Sequence, residues 1–367
     1  MKFRCDRDVL SEALQIVQRG VSNRPGVPAL TGVLIEAAKD GSLTLTTTDL
    51  EVSAQLGVEV QTQEEGSALA PARLLAEMVK NLSEAPVEFE ADQNQAKIRC
   101  SAYEGTVRLL PVEDFPALQE PSGTKVTVEA PRFAEAVNQA ARAASRDEAR
   151  PVLTGVLVEV NREGLTLAAT DSYRLAVREV TATADGEAKV IVPERALSEA
   201  GRAAAAEEKG ELEIVLDESQ ISFSVGKLRL TSRLIEGEFP NYRQLLPDGY
   251  ESKLSLPRQQ LAEAVRRVGL LARDNAPVRM ELNALGVRLS SQSPDLGQAV
   301  EAVETKYEGD EITVAFNPHY LGDGLAAAVG DTVRLEVRDG LKPGVIRGEA
   351  DDFTYLVMPV RLPAPVG

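Results

Sequence analysis

Residues 150–177 read RPVLTGVLVEVNREGLTLAATDSYRLAV, and their alternation decides the fold. Apolar side chains recur at every second position at Val156, Val158 and Val160, then at Leu165 and Leu167, with residues 161–164 between the runs. A period of two broken by polar and glycine residues is the pattern of a half-buried β-hairpin. The second run finishes in Thr170-Asp171-Ser172-Tyr173-Arg174-Leu175, a polar and aromatic stretch where a strand should be ending. Residues 28–49 repeat the pattern upstream and end in Thr48-Asp49, 122 residues before Thr170-Asp171. A fainter copy at 278–300 keeps the alternation at Val287 and Leu289 but has Ser293-Pro294-Asp295 in place of the Thr-Asp ending.

The flanking segments repeat as well. Residues 2–17, 125–140 and 253–268 each run from a short alternating strand into a helical pattern after a polar or proline break, with Pro131 and Pro257 suited to a first helical turn. Leu10, Leu14 and Val17 correspond to Phe133, Val137 and Ala140, and to Leu261, Val265 and Val268. That is the spacing of one buried helix face. A second helix follows in each copy, after Pro71, Pro193 and Pro318, and further strands close the unit. The boundaries fall near 122 and 250, giving domains 1–122, 123–250 and 251–367. A period this long is far above that of solenoid repeats, so the copies are expected to be whole α+β domains, each with two helices on antiparallel strands.

Composition bounds the function. The chain has 367 residues, 43% hydrophobic and 26% charged, as a soluble globular protein does. Its start has no apolar h-region and no window approaches the ~18 uninterrupted apolar residues of a membrane span, so a cytoplasmic location is expected. Cys5 and Cys100 fall in strand patterns and read as buried thiols. One histidine, His319, and no His/Cys cluster argue against zinc, and no cofactor is expected.

A net charge of −17 speaks against a nucleic-acid partner when taken alone. Its distribution qualifies that. The six predicted helices, at 8–19, 72–82, 131–146, 194–206, 257–273 and 319–329, are together slightly cationic and everything else is strongly anionic. One reading is that helix surfaces are basic merely for solvation; the other is that one face meets phosphates without reading bases while the opposite face repels nucleic acid.

Head-to-tail copies with these motifs resemble the bacterial sliding clamps, the beta subunits of DNA polymerase III. The residues that match over the whole chain are Lys2-Phe3, Arg24-Pro25, Thr170-Asp171 with Arg174-Leu175-Ala176, Phe239-Pro240 with Tyr242-Arg243, and Met358-Pro359 with Arg361-Leu362. The resemblance implies an α+β DNA clamp fold of three head-to-tail two-helix, antiparallel-sheet domains. Two chains would close head to tail into a six-domain ring around double-stranded DNA. It implies phosphate contacts from Arg24, Arg73, Arg146, Arg150, Arg195 and Arg202. Here Pro151-Val152 follows Arg150 in place of an aromatic pair, leaving a purely charged contact. It also implies a homodimer interface between Lys97, Arg99, Val107 and Arg108 of one copy and Leu270, Leu271, Glu301 and Glu304 of the other.

The second implied site is an apolar pocket between the second and third domains, taking short linear motifs of the replicative polymerase, the clamp loader and repair proteins. Its walls would be Leu153, Thr170, Ser172, Tyr173, Arg174, Leu175, Pro240, Leu245, Tyr320, Met358, Pro359, Val360 and Arg361, of which Leu153, Leu175 and Val360 could equally be core. Ser172-Tyr173 stands where the family has a Gly-His pair. No nucleophile elbow accompanies Ser172, and no glycine-rich phosphate loop occurs, so no catalysis is expected. Glu349-Ala350-Asp351-Asp352 reads as a solvated loop before a strand. A scaffold that binds only proteins is the competing non-enzymatic reading.

Overall fold

The computed structural model describes residues 1–22, 26–247, 250, 252–272, 276–307, 309–350 and 352–362. Arg24 lies outside the described residues. The chain forms two compact bodies, one made of 1–131 with 202–234 and the other of 132–201 with 235–367. The middle repeat is therefore divided, and the reason is strand pairing.

In the first body the opening strand Lys2–Cys5 pairs antiparallel with Gln61–Glu64 and Val87–Ala91, and the sheet continues through Gln95–Cys100 to Tyr103–Arg108. Helix α1 (Arg7–Val17) follows directly, started by the Asp6 carboxylate accepting from Asp8 N at 2.9 Å. Its buried Leu10, Leu14 and Val17 form the predicted stripe, and it packs on α2 (Ala72–Lys80). A second antiparallel sheet contains Gly66–Pro71, Gly32–Ala37, Ser42–Thr48 and Val52–Glu59 from the first repeat. It runs on through Leu228–Arg233, Gln220–Val225, Glu211–Leu216 and Thr124–Glu129 from the second, joined where Val52 faces Ser232.

The second body repeats this junction. Ala188–Pro193, Gly155–Asn161, Gly164–Thr170 and Arg174–Thr181 of the middle repeat pair onward with Phe353–Val357, Gly344–Arg347, Thr332–Val337 and Ser252–Pro257 of the third. Most of α3 (Ala130–Ala140) and α4 (Glu194–Ala205) belongs here; Gly201 brings them close, since a Cβ there would lie 2.8 Å from Val137 Cγ1. Helix α5 (Arg258–Gly269) buries Leu261, Val265 and Val268 and packs on α6 (Pro318–Ala327). Asn317 caps α6 by accepting from His319 N at 2.9 Å.

Several expectations are corrected. Helix α3 stops at Ala140 and continues only as a 3-10 turn over Ala141–Ala143, so Arg146 is not helical. Helix α5 stops at Gly269. With these shorter limits the observed helices are close to neutral, since Arg142 and Arg146 fall in the segment after α3. Pro257 ends a strand and caps α5 rather than opening its first turn. The faint third copy is a hairpin of Val278–Asn283 and Gly286–Ser293, and Ser293-Pro294-Asp295 leads into a third strand, Gly297–Glu304. As expected, Glu349 and Asp352 lie in a loop just before the strand Phe353–Val357, where Glu349 accepts from Asp331 N and Thr332 N and Asp352 pairs with Arg178. Cys5 and Cys100 are buried free thiols.

Candidate functional site

The Thr-Asp ending of the hairpin is a built turn. Thr170 Oγ1 donates to Arg174 O at 2.6 Å and accepts from Ser172 N at 3.1 Å. Asp171 Oδ1 accepts from Tyr173 N at 2.9 Å and Arg174 N at 3.1 Å. A short side chain that bonds to backbone two and three residues on is what makes Asp a turn residue. The turn forces Ser172 into the left-handed region, with φ 81°, a conformation uncommon outside glycine. It also pushes Tyr173 into solvent, 59% exposed.

Arg174 points the other way and organises the surroundings. Its Nε donates to Asp171 Oδ2 at 3.0 Å, its Nη1 donates to Asp323 and, at 3.5 Å, to Tyr355 Oη, and its guanidinium carbon lies 4.6 Å from the centre of the Tyr320 ring. Burial alone would lower this guanidinium, but Tyr355, Asp323 and Asp171 together raise its pKa. Burial also pushes the Tyr355 phenol above its usual range, so it stays protonated and donates to Tyr320 O at 2.9 Å. Gly324 of α6 makes room for that ring: a Cβ there would sit 2.5 Å from Tyr355 Cδ1. Tyr173 stacks outside Tyr320, ring centres 6.3 Å apart and planes at 18°. The result is a fixed cation under an aromatic pair whose outer face is open.

Two predicted sites meet here. Arg150 Nη1 donates to Ser172 Oγ at 3.0 Å while its Nε donates to Asp147 at 2.8 Å. A cavity of roughly 300–1,000 Å³ is typical of small-ligand sites, and the one at this point measures about 780 Å³. It is bounded by Arg142, Arg146 and Arg150 on one side and by Tyr173, Arg174, His319, Tyr320 and Asp323 on the other. Predicted phosphate contacts and predicted partner contacts thus share a wall. Sequence reading missed Asp323, because a lone Asp in a helix carries no signal of its ligand. Asp171 was visible as part of the repeated pair but not as the partner of Arg174.

The remaining pocket residues divide. Met358 N donates to Tyr173 O at 2.8 Å and Val360 N to Ala315 O at 2.8 Å, so the Met358–Pro359–Val360–Arg361 tail is stitched beside the turn. Met358 and Leu245 are exposed apolar side chains, Pro240 is exposed, and Val360 is partly buried. Leu175 is buried with Leu157, Val177, Phe239 and Tyr242, which is the core alternative of its two readings. Leu153 is buried too.

Of the predicted interface residues, Lys97 and Arg99 lie on Gln95–Cys100 and Val107 and Arg108 on the last strand of its sheet, Tyr103–Arg108. Val107 turns its side chain into the core, so it offers an edge only backbone. Arg99 is held by Glu104 at 2.9 Å, and Glu301 by Arg267 at 2.7 Å. Leu270 is 71% exposed just past α5, with Leu271 partly buried beside it, and Glu301 and Glu304 lie on the outermost strand Gly297–Glu304. Of the other predicted phosphate contacts, Arg73, Arg195 and Arg202 are exposed on α2 and α4.

Known proteins match along the whole chain. Family models for the N-terminal, central and C-terminal domains of the DNA polymerase III beta subunit match residues 1–119, 127–241 and 243–361. A beta sliding clamp of Streptomyces coelicolor is 39% identical over 99% of this chain and 100% of its own length, and the beta sliding clamp homolog GriR of Streptomyces muensis is 35% identical over 98% and 99%. Among solved structures, a sliding clamp of Pseudomonas aeruginosa bound to griselimycin superposes with a TM-score of 0.94 at 30% identity, over 99% of this chain and 100% of that one. Matched domain by domain and end to end, the chain belongs to the bacterial DNA polymerase III beta subunit family, the sliding clamps.

Proposed function

We propose that this chain is a processivity clamp: two copies close around duplex DNA and tether the replicative polymerase, the clamp loader and repair proteins to it. The observation that carries this reading is the end-to-end likeness to proteins named beta sliding clamp. The three repeats are assigned to 1–122, 123–250 and 251–367, and the protein acts in the cytoplasm without cofactor or chemistry of its own.

Closure uses two sheet ends. Tyr103–Arg108 and Gly297–Glu304 each finish a sheet, and an unpaired strand edge is a template for another chain. Head-to-tail pairing of one edge with the other, in both directions, is a heterologous contact that closes. Leu270 supplies exposed apolar surface beside it, and Arg99, Arg108, Glu301 and Glu304 supply opposite charges for register. Arg24, Arg73, Arg146, Arg150, Arg195 and Arg202 contact phosphates, which attracts any sequence equally and permits sliding. Partner peptides dock on the turn at 170–174, where Tyr173, Tyr320 and Met358 supply adaptable apolar surface and Arg174 and Arg361 polar anchors.

The test is retention. Loaded on nicked circular DNA, the protein is expected to remain bound at high salt and to run off once the circle is cut. Equal loss from circle and line would favour a scaffold without a ring. A doubled Leu270→Asp, Leu271→Asp variant should sediment as a monomer; an unchanged mass would place the interface elsewhere.

A further inference from the structure

The first body contains the Thr-Asp turn again, bond for bond. Thr48 Oγ1 accepts from Leu50 N at 3.1 Å, and Asp49 Oδ1 accepts from Glu51 N at 3.1 Å and Val52 N at 2.8 Å. Leu50 takes the place of Ser172 and is likewise left-handed, with φ 74°, although a leucine has no local bond to compensate that conformation. The strand after the turn also crosses into the next repeat in the same way. Arg233 N donates to Glu51 O at 3.0 Å, as Met358 N does to Tyr173 O. Val52 faces Ser232 as Arg174 faces Val357. Residue by residue, Arg233 therefore occupies the position of Met358, Glu51 that of Tyr173, and Leu50 that of Ser172.

This copy also lines a cavity, of about 370 Å³, within the range of ligand sites. Leu50 and Leu118 stand half-exposed at it, its floor is the polar face of Ser53, Gln55 and Thr231, and Arg229 beside it is paired with Glu120. Arg233 is the exposed cation of the groove, and Glu51, at the place of Tyr173, is an exposed anion on the same lining.

We propose that this groove is a second peptide site, which takes a short extended acidic segment of a partner protein. Its aliphatic side chain seats between Leu50 and Leu118, its backbone bonds to the polar floor, and its carboxylate meets Arg233. The exchange of a thioether for a guanidinium at the position of Met358 sets the preference: where the turn at 170–174 selects apolar and aromatic groups, this one selects a negative charge. The proposal rests on the reading of the turn at 170–174 as a docking site.

The experiment uses the full chain with labelled Leu and Met methyl groups and the probe acetyl-Ser-Leu-Asp-Ser-amide. Saturable shifts are expected at the Leu50 and Leu118 methyls, weakened about tenfold by Arg233→Glu and severalfold when the probe's Asp is replaced by Asn. Leu50→Gly keeps the backbone, relieves the left-handed strain and should lose the shifts while the rest of the spectrum stays put. Shifts confined to the Met358 methyl, or shifts at Leu50 that ignore Arg233→Glu, would overturn the second site. The Met358 methyl reports the other turn separately, with an apolar and aromatic probe, acetyl-Ser-Leu-Phe-Ser-amide: no shift there would count against the docking role of 170–174, while the shifts of the acidic probe at Leu50 and Leu118 decide this site.

Discussion

The two Thr-Asp turns have one backbone and two environments, and the connectors that pass near them show why. After the turn at 170–174, the connector is pinned at residues 239–247 and 250: Phe239, Tyr242 and Tyr250 are buried on Leu157, Ala168, Leu175 and Val177, Tyr242 Oη donates to Glu159 at 2.8 Å, and Tyr250 Oη to Pro343 O at 2.6 Å. The corresponding segment at 116–120 lies by a sheet face of Ser53, Gln55 and Thr231, with Leu118 exposed. An apolar face holds its connector down; a polar one leaves a groove beneath it. The same local motif thus yields different sites, because the side chains of the strand that follows it, Leu175 and Val177 in one copy against Ser53 and Gln55 in the other, decide whether the covering segment sticks.

The largest expected break in this contrast is Tyr242→Ala against Leu118→Ala. Removing a buried aromatic leaves a cavity and should cost about 3–4 kcal/mol, whereas the exposed leucine should cost about 0.5 kcal/mol or less. Hydrogen exchange at 239–247 and at 116–120 reads each segment locally, and equal effects would refute the pinning. Next is Asp171→Ala against Asp49→Ala. Both lose the turn bonds, but only the first strips a buried partner from Arg174, so about 3 kcal/mol is expected against about 1 kcal/mol, read by exchange of the amides of 172–174 and 50–52.

A smaller effect is pH dependence. Burial alone would raise the Glu159 carboxyl, but Arg243, Tyr242 and Lys189 hold it below its ordinary 4.5. A depressed folded-state pKa contributes stability above the unfolded value that is lost as pH falls through the folded one. The protection factor at 239–247, exchange corrected for its intrinsic pH dependence, should therefore be flat from pH 7 down to about 5 and fall below 4.5, and Glu159→Gln should abolish that dependence. The smallest is Leu50→Gly, which should stabilise the first body by roughly 0.5–1 kcal/mol by relieving the left-handed residue. Ser172→Gly should gain less, since it also frees Arg150 from its bond to Ser172.

The repeated hairpins and helix stripes were legible because both rest on local periodicity, as the buried Leu10, Leu14 and Val17 show. The turn itself was visible as Thr170-Asp171, and Arg174 as its companion. What sequence could not supply was anything set by distant pairing: that Val52 would face Ser232, that Asp323 would meet Arg174, or that Leu175 would be walled in by Tyr242. Helix ends misled for another reason. Arg142 and Arg146 continue a plausible helical composition, but the backbone leaves the helix at Ala140, so charge counted as helical lies in the following segment.

The sheets that run across repeat boundaries have a consequence for synthesis on the ribosome. Strand Val52–Glu59 must wait for Leu228–Arg233, and Arg174–Thr181 for Phe353–Val357. At roughly 5–20 residues per second, each waits on the order of ten seconds with a bare, sticky edge. A nascent chain stalled short of residue 353 is thus an aggregation hazard, and helper proteins that shield strand edges should matter most late in translation.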